Sequence, residues 1–216
     1  MEKIKTGVDF IDTLTKGVNK SDVNILGSTF GQGKTITMIN ISKSIIENGK
    51  NVLYITFDDR FKTLQIKLCK LISESENIDK DKIYDYIDKH QKNKLILRKV
   101  DSNHNHNDND NDKLIELINS KDDFDFIVID GYYKGKFEDF KFINESVKPI
   151  LFFTTMLDSD SLNNQTEINY DGLNVFNLKL IDRVDSVKIF DMYFNGKIAN
   201  KLTIDFNTFK FKYGKN

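Results

Sequence analysis

A chain of 216 residues with 39% hydrophobic side chains can bury one sizeable core, and it is most simply interpreted as one α/β domain. Its 32 Lys and Arg residues balance 33 Asp and Glu residues, which excludes a strong overall attraction to nucleic acid or to an anionic membrane. Its single cysteine excludes a disulfide framework, and no apolar run approaches the ~18 residues of a membrane span. We therefore expect one domain over residues 1–216, cytoplasmic and without a membrane contact.

Short apolar runs alternate with longer segments of helical period, which is typical of strands and crossover helices in a largely parallel sheet. Gly49 is placed to end the first long helix. In chain order, the pattern predicts a strand over 23–27, a helix over 34–48, a strand over 52–57, helices over 63–74 and 80–90, and strands over 94–98, 126–130 and 150–154.

Two further segments have a distinctive composition. Residues 101–112 are an Asn/Asp/His run of low complexity, for which we predict a surface loop. The spacing of His104 and His106 within it matches no established metal cage. Residues 186–194 and 201–212 alternate like a β-hairpin around an Asn-Gly turn, and we expect them to extend the sheet with antiparallel strands.

The first strand leads into a glycine-rich segment that fits the phosphate-loop pattern G-x-x-x-x-G-K-[ST], except that Ser28 replaces the first glycine. A strand before the loop and a helix after it let backbone N–H groups bind phosphates. Lys34 is expected to contact the β- and γ-phosphates of ATP, and the Thr35 hydroxyl to coordinate Mg²⁺. The alternative is a chance glycine-rich turn. The predicted nucleotide-binding residues are Ser28, Thr29, Phe30, Gly31, Gln32, Gly33, Lys34, Thr35 and Ile36.

Carboxylates follow two of the other predicted strands. FDFIVIDGYY ends its apolar run at Asp130, which is a candidate for the Mg²⁺ site; the alternative is an aspartate that caps the next turn. NVLYITFDDR places Asp58 and Asp59 at the end of the strand after the phosphate-loop helix. One of these two could act as the general base toward water, or both could be solvated.

Together these segments resemble the RecA-type core of replicative DNA helicases of the DnaB family. The lead-in TGVDFIDTLTKGVNKSDVNILGSTFGQGKT, the strands NVLYITFDD and FIVIDGYY, and the segment KPILFFTTMLD are similar to the corresponding motifs of that family. The resemblance covers nearly the whole chain and has no counterpart of the N-terminal helicase domain. It implies a RecA-like α/β fold with a central, mostly parallel sheet flanked by helices. It also implies catalytic roles for Asp58 and Asp130, and a γ-phosphate sensor at Thr155.

The chain also departs from that family. Its members place a lysine and an arginine before an Asn-Gly turn, where these cations reach the nucleotide of the neighbouring subunit, but here Met192 and Phe194 occupy the two positions. Residues 158–177, which correspond to the central DNA-binding loop, contain no Lys or Arg, so the loop is poorly suited to DNA. Other cations that could replace the missing charges are Arg183, Lys188 and Lys197. A better candidate DNA patch, with a solvated face as its alternative, is Lys134, Lys136 and Lys141.

Two functions follow from these observations. The first is an ATP-binding RecA/DnaB-like ATPase of DNA replication or recombination, with ATP and Mg²⁺ as cofactors. It would form a homo-oligomer, with a ring as the arrangement the family implies, and act as a helicase on single-stranded DNA. The alternative is a catalytically weakened nucleotide-binding accessory or regulatory protein derived from a helicase core. A small-molecule or nucleoside kinase is disfavoured because no basic lid is evident.

Overall fold

The computed structural model describes residues 3–57, 61–76, 95–100, 109–120, 124–131, 137–147, 149–156 and 173–214. Its helices are α1 (Asp9–Thr15), α2 (Lys34–Glu47), α3 (Phe61–Glu76), α4 (Asn109–Asn119) and α5 (Phe137–Ser146). Its strands are β1 (Val23–Ser28), β2 (Val52–Thr56), β3 (Leu95–Lys99), β4 (Phe126–Asp130), β5 (Ile150–Met156), β6 (Leu173–Val184), β7 (Val187–Phe194), β8 (Lys197–Asp205) and β9 (Phe211–Gly214).

The described strands form one nine-stranded sheet in the order β3-β2-β4-β5-β1-β6-β7-β8-β9. Every pairing from β3 to β6 is parallel, and every pairing from β6 to β9 is antiparallel. The turn between β7 and β8 is the predicted Asn-Gly pair, and Asn195 and Gly196 both have positive φ, as such hairpin turns require. The predicted mostly parallel sheet with a C-terminal antiparallel hairpin is confirmed.

Apolar clusters cover both faces of the parallel strands, which explains why these strands read as continuous apolar runs. On one face, the side chains of Tyr54, Val128 and Phe152 pack with those of α1, α2 and α3. On the other face, alternate residues such as Ile127 and Phe153 pack with side chains of α4 and α5. No helix in the described ranges is long and apolar enough to cross a membrane.

The five predicted strands and the helices predicted over 34–48 and 63–74 agree with the structure to within two residues at each end. Three predicted segments had wrong boundaries. Residues 109–112 begin α4 because Asn and Asp suit a helix N-terminus and Leu114 and Ile118 anchor the helix in the core. Residues 173–177, assigned to the DNA-binding loop, begin β6 because they pair with β1. The second arm of the hairpin, predicted over residues 201–212, is β8 over Lys197–Asp205, and a separate strand, β9, begins at Phe211. The helix predicted over 80–90 and residues 101–108 lie outside the described part of the chain.

Candidate phosphate-binding site

The glycine-rich loop connects the C-terminal end of β1 to the N-terminus of α2. Gly31 and Gly33 have φ values of +71° and +91°, a conformation that glycine adopts without steric penalty. Within the described residues, the backbone N–H groups of residues 32–35 donate no hydrogen bonds. They belong to the loop and the first turn of α2, where such groups form an anion site. The lining of the adjoining pocket is Phe30, Gly31, Gln32, Gly33, Lys34, Thr35, Ile36, Lys67 and Phe206.

Lys34 is the first residue of α2, and its side chain is buried in the loop, with 7% exposure. Its Nζ donates to Ser28 O at 2.9 Å, to Ser28 Oγ at 3.2 Å and to Thr29 O at 3.0 Å. Burial lowers the pKa of Lys34 to about 8, although the negative charge of Asp130 opposes the shift. The loop therefore encloses an ammonium group, which it satisfies with its own oxygen atoms. Thr35, the predicted Mg²⁺ ligand, follows at the half-buried start of the helix.

Asp130 ends β4 and is 1% exposed. The Tyr54 hydroxyl donates to its Oδ2 at 2.9 Å, and the Thr154 hydroxyl donates to its Oδ1 at 2.9 Å. Thr154 Oγ1 also accepts a hydrogen bond from the N–H of Gly131 at 2.7 Å. Two hydroxyl groups on the strands flanking β4 thus fix the carboxylate, and sequence reasoning identified neither. Their only sequence signal is a polar group inside an apolar strand.

The structure brings Lys34 and Asp130 together, but it places Thr155 elsewhere. Thr155 is 5% exposed and pairs with Gly27 of β1. Because side chains alternate along a strand, Thr155 lies on the same face of the sheet as Phe153. Thr154 lies on the opposite face, together with Asp130. A sensor role for Thr155 stays a prediction. Asp58 and Asp59 lie outside the described residues.

The antiparallel strands contact the phosphate loop from the same chain. Gln32 Oε1 accepts a hydrogen bond from Leu180 N of β6 at 3.2 Å, and Lys188 Nζ of β7 donates to Gly31 O at 2.8 Å. A Cβ at Gly33 would lie 2.8 Å from Ile204 Cδ1 of β8. These contacts were missed because strands late in the sequence supply them, with no local pattern.

Met192 and Phe194, which precede the Asn-Gly turn, are packing residues. Met192 is fully buried in the main cluster, and the Phe194 ring lies 5.1 Å from that of Phe176. Of the other cations, Lys197 is exposed, and Arg183 is exposed with its Nε 3.3 Å from Asp185 O. In the candidate DNA patch, Lys141 is half-buried on α5. Lys134, Lys136 and residues 158–172 lie outside the described ranges.

Comparison with known proteins bears on the family and the fold of the chain. The DnaB-like helicase C terminal domain family matches residues 3–130, more than half of the chain. Among solved structures, an ATPase domain superposes on this chain with a TM-score of 0.65 at 10% sequence identity, and the match covers 96% of this chain and 90% of that domain. At that identity, the likeness confirms the RecA-like fold alone. No curated protein matches the chain in sequence.

Proposed function

Because the chain belongs to the DnaB-like helicase C-terminal domain family, we propose that it is an ATP-binding RecA-type ATPase of DNA replication or recombination. The observation that carries the proposal is that the loop encloses the Lys34 ammonium group, while the buried carboxylate of Asp130 is fixed at the same edge of the sheet. Lys34 follows β1 and Asp130 ends β4, so both lie at the C-terminal edge of the parallel strands, where the charge of the carboxylate acts on the pKa of the lysine. A chance glycine-rich turn would not require a fixed, buried carboxylate beside it.

The residues of the site fit a nucleotide with Mg²⁺. Free N–H groups at residues 32–35 would bind phosphate oxygens, and Lys34 would exchange the oxygens of Ser28 and Thr29 for them. Thr35 and Asp130 would hold Mg²⁺, and Tyr54 and Thr154 keep the carboxylate oriented for that purpose. When bound, Mg²⁺ offsets the negative charge of the phosphates. Asp58 is the proposed general base, and Thr155 the proposed sensor.

A second candidate function, a nucleotide-binding accessory or regulatory protein with weak turnover, is favoured by the hairpin. Met192 and Phe194 have uncharged side chains that pack within their own chain, so neither can supply a positive charge to a neighbouring subunit. A trans-acting arginine contributes on the order of 10³- to 10⁵-fold to the rate in other nucleotide hydrolases. We therefore expect nucleotide binding with slow hydrolysis unless another cation replaces it.

ATP turnover with and without single-stranded DNA tests the proposal. Lys34→Ala should abolish nucleotide binding and turnover, because it removes the charge enclosed by the loop. Lys43→Ala is the matched control, since Lys43 lies on the same helix and pairs with Glu47 at the surface. Turnover that survives Lys34→Ala would contradict the phosphate-site assignment. Turnover that requires Lys34 but ignores DNA would favour the accessory function.

The proposed partners are further copies of the chain, arranged as a ring, and single-stranded DNA. Mass measurement with and without ATP and Mg²⁺ tests assembly. A shift from monomer to a closed oligomer on addition of nucleotide supports a motor whose sites lie between subunits. A monomer under both conditions, with intact ATP binding, would argue against the ring.

A further inference from the structure

Lys188 contacts the phosphate loop of its own chain, although it lies 157 residues further along the sequence than the loop residue it binds. Its Nζ donates to Gly31 O at 2.8 Å and stands 4.5 Å from the centroid of the Phe206 ring, which also lines the pocket. A carbonyl and an aromatic face together fix the ammonium group in position.

The charge of Lys188 has no carboxylate partner among the described residues. Its neighbour across the β6–β7 ladder is Arg183, a second cation, and its neighbour on β8 is Ile204. Burial and the positive charge of Arg183 both lower the pKa of Lys188. A lysine beside a second cation, with no carboxylate partner among the described residues, attracts a negatively charged ligand.

The hydrogen bond from Lys188 also orients the loop backbone. In a trans peptide, the C=O of one residue and the N–H of the next point in opposite directions. With the Gly31 carbonyl held by Lys188, the N–H of Gln32 points away from β7 and stays without an acceptor in the described structure. The Gln32 side chain is held as well, by the N–H of Leu180.

The bond to Leu180 occurs where β6 departs from regular pairing. The register with β7 shifts between Leu180 and Asp182, which is a β-bulge at Ile181. A bulge interrupts the ladder locally, and here the N–H of Leu180 donates to Gln32. Strands β6 and β7 therefore each donate one hydrogen bond to the middle of the loop, β6 to Gln32 and β7 to Gly31.

We propose that Lys188 is a positioning residue for phosphate binding within its own chain: it holds the Gly31–Gln32 peptide so that the Gln32 N–H can receive a phosphate oxygen, and its charge adds to the positive potential at the loop. The proposal rests on the proposed function, since it assumes that the loop binds phosphates. It also assigns a role in the same subunit to one of the cations that could replace the charges missing at Met192 and Phe194.

Calorimetric titration with ADP tests the proposal with three variants. Lys188→Met keeps the aliphatic stem over Phe206 but removes the charge, and we expect about tenfold weaker ADP binding, as for loss of a charged hydrogen bond. Lys188→Arg keeps a charged donor and should restore the affinity to within about threefold. Lys201→Met, an exposed lysine on β8, should bind as the wild type does. Thermal unfolding midpoints of the ligand-free proteins should agree within a few degrees.

The outcomes separate the two proposals. Wild-type affinity in Lys188→Met would overturn the positioning role and leave the phosphate site intact. A low unfolding midpoint in both Lys188 variants, with equal loss of ADP binding and no rescue by arginine, would also overturn it, because Lys188 would then act through folding. If the wild type binds ADP no better than Lys34→Ala does, the proposed function itself fails, and this inference falls with it.

Discussion

The parallel and antiparallel parts of the sheet serve the phosphate loop differently. The parallel strands β1, β4, β2 and β5 supply or orient its chemical groups, since they lead into Lys34 and place Asp130 between Tyr54 and Thr154. The antiparallel strands hold the loop from outside, through Lys188 and the apolar side chain of Ile204. The groups that would bind phosphate thus come from one part, whereas the conformation of the loop depends on both.

Asp130→Asn should give the largest loss of ATP turnover. It removes a group that the parallel strands supply and leaves the antiparallel strands unchanged. The substitution keeps the size of the side chain but removes the charge proposed to hold Mg²⁺, a loss of several kcal/mol, which corresponds to about a hundredfold or more in turnover. Steady-state ATPase assays measure it. ADP binding without Mg²⁺ should persist, because the loop and Lys34 remain. Equal turnover in the variant and the wild type would remove Asp130 from the metal site.

Thr154→Val and Thr155→Val separate the two faces of β5. Thr154→Val leaves the buried N–H of Gly131 without its acceptor and Asp130 without one donor, which should lower the free energy of unfolding by about 2 kcal/mol and reduce turnover. Thr155→Val should change stability less, and it lowers turnover only if Thr155 is the γ-phosphate sensor. Urea unfolding and ATPase assays of both variants provide the test. Equal losses in the free energy of unfolding would show that the hydrogen bonds of Thr154 add no more to stability than the contacts of Thr155 do.

The affinity for ADP should fall as the pH rises above about 8, because phosphates favour the protonated form of Lys34 and the pKa of Lys34 in the free protein is about 8. Below that pH the lysine is already charged. Above it, binding must take up a proton, so Kd should rise about tenfold, or 1.4 kcal/mol, per pH unit. Titration between pH 7 and 9.5 in two buffers measures both Kd and proton uptake.

Burial and the positive charge of Arg183 lower the pKa of Lys188 as well. Lys188→Met and Lys43→Ala should both keep the pH dependence that belongs to Lys34. A Kd that is constant across this pH range in the wild-type protein would contradict the expected titration of Lys34.

Gly33→Ala should give the smallest effect on stability, and it tests the contact between the two parts of the sheet. Gly33 and Gly49 both have positive φ, so alanine at either position should cost about 1 kcal/mol. Of these two positions, only at Gly33 would the new Cβ meet other side chains, Ile204 Cδ1 at 2.8 Å and the Phe206 ring at 3.4 Å; at Gly49 nothing lies within 4 Å. The end of Ile204 is flexible, so the additional loss should be a few tenths of a kcal/mol.

Chemical denaturation and ADP titration of Gly33→Ala and Gly49→Ala separate these contributions. Weaker ADP binding is expected only for Gly33→Ala, because only that residue belongs to the loop. Equal ADP affinities in the two variants would show that the conformation at Gly33 does not matter for the site.

The sequence predicted the parallel strands well because burial on both faces makes each of them a continuous apolar run. It failed at β6, where Asn174 and Asn177 argue against a strand on propensity. In the fold, pairing with β1 overrides that preference, and Asn174 Nδ2 donates to Asn24 Oδ1 at 2.9 Å. The N-terminus of α4 was missed for a similar reason. Its Asn and Asp residues have the composition of a polar loop, and the apolar residues that anchor the helix come only after them.

The candidate site was predictable only where a local pattern encodes it. Lys34 follows from the loop motif, and Asp130 from its place at the end of an apolar strand. The groups that orient them come from distant parts of the chain: Tyr54 lies 76 residues from Asp130, and Lys188 lies 157 residues from Gly31. Spacing along the sequence carries no information about such contacts. The buried polar atoms of the Asn177 side chain have no hydrogen-bond partner among the described residues.

The position of β1 has a consequence for how the protein is made. This strand enters the sheet between β5 and β6, and the bond from Asn24 Nδ2 to Leu151 O spans 127 residues. A chain still growing on the ribosome would hold the glycine-rich loop long before β5, the first of the two neighbours of β1 to be made, has left the ribosome. Contacts so distant in sequence form slowly, so we expect the loop to reach its final shape late in folding.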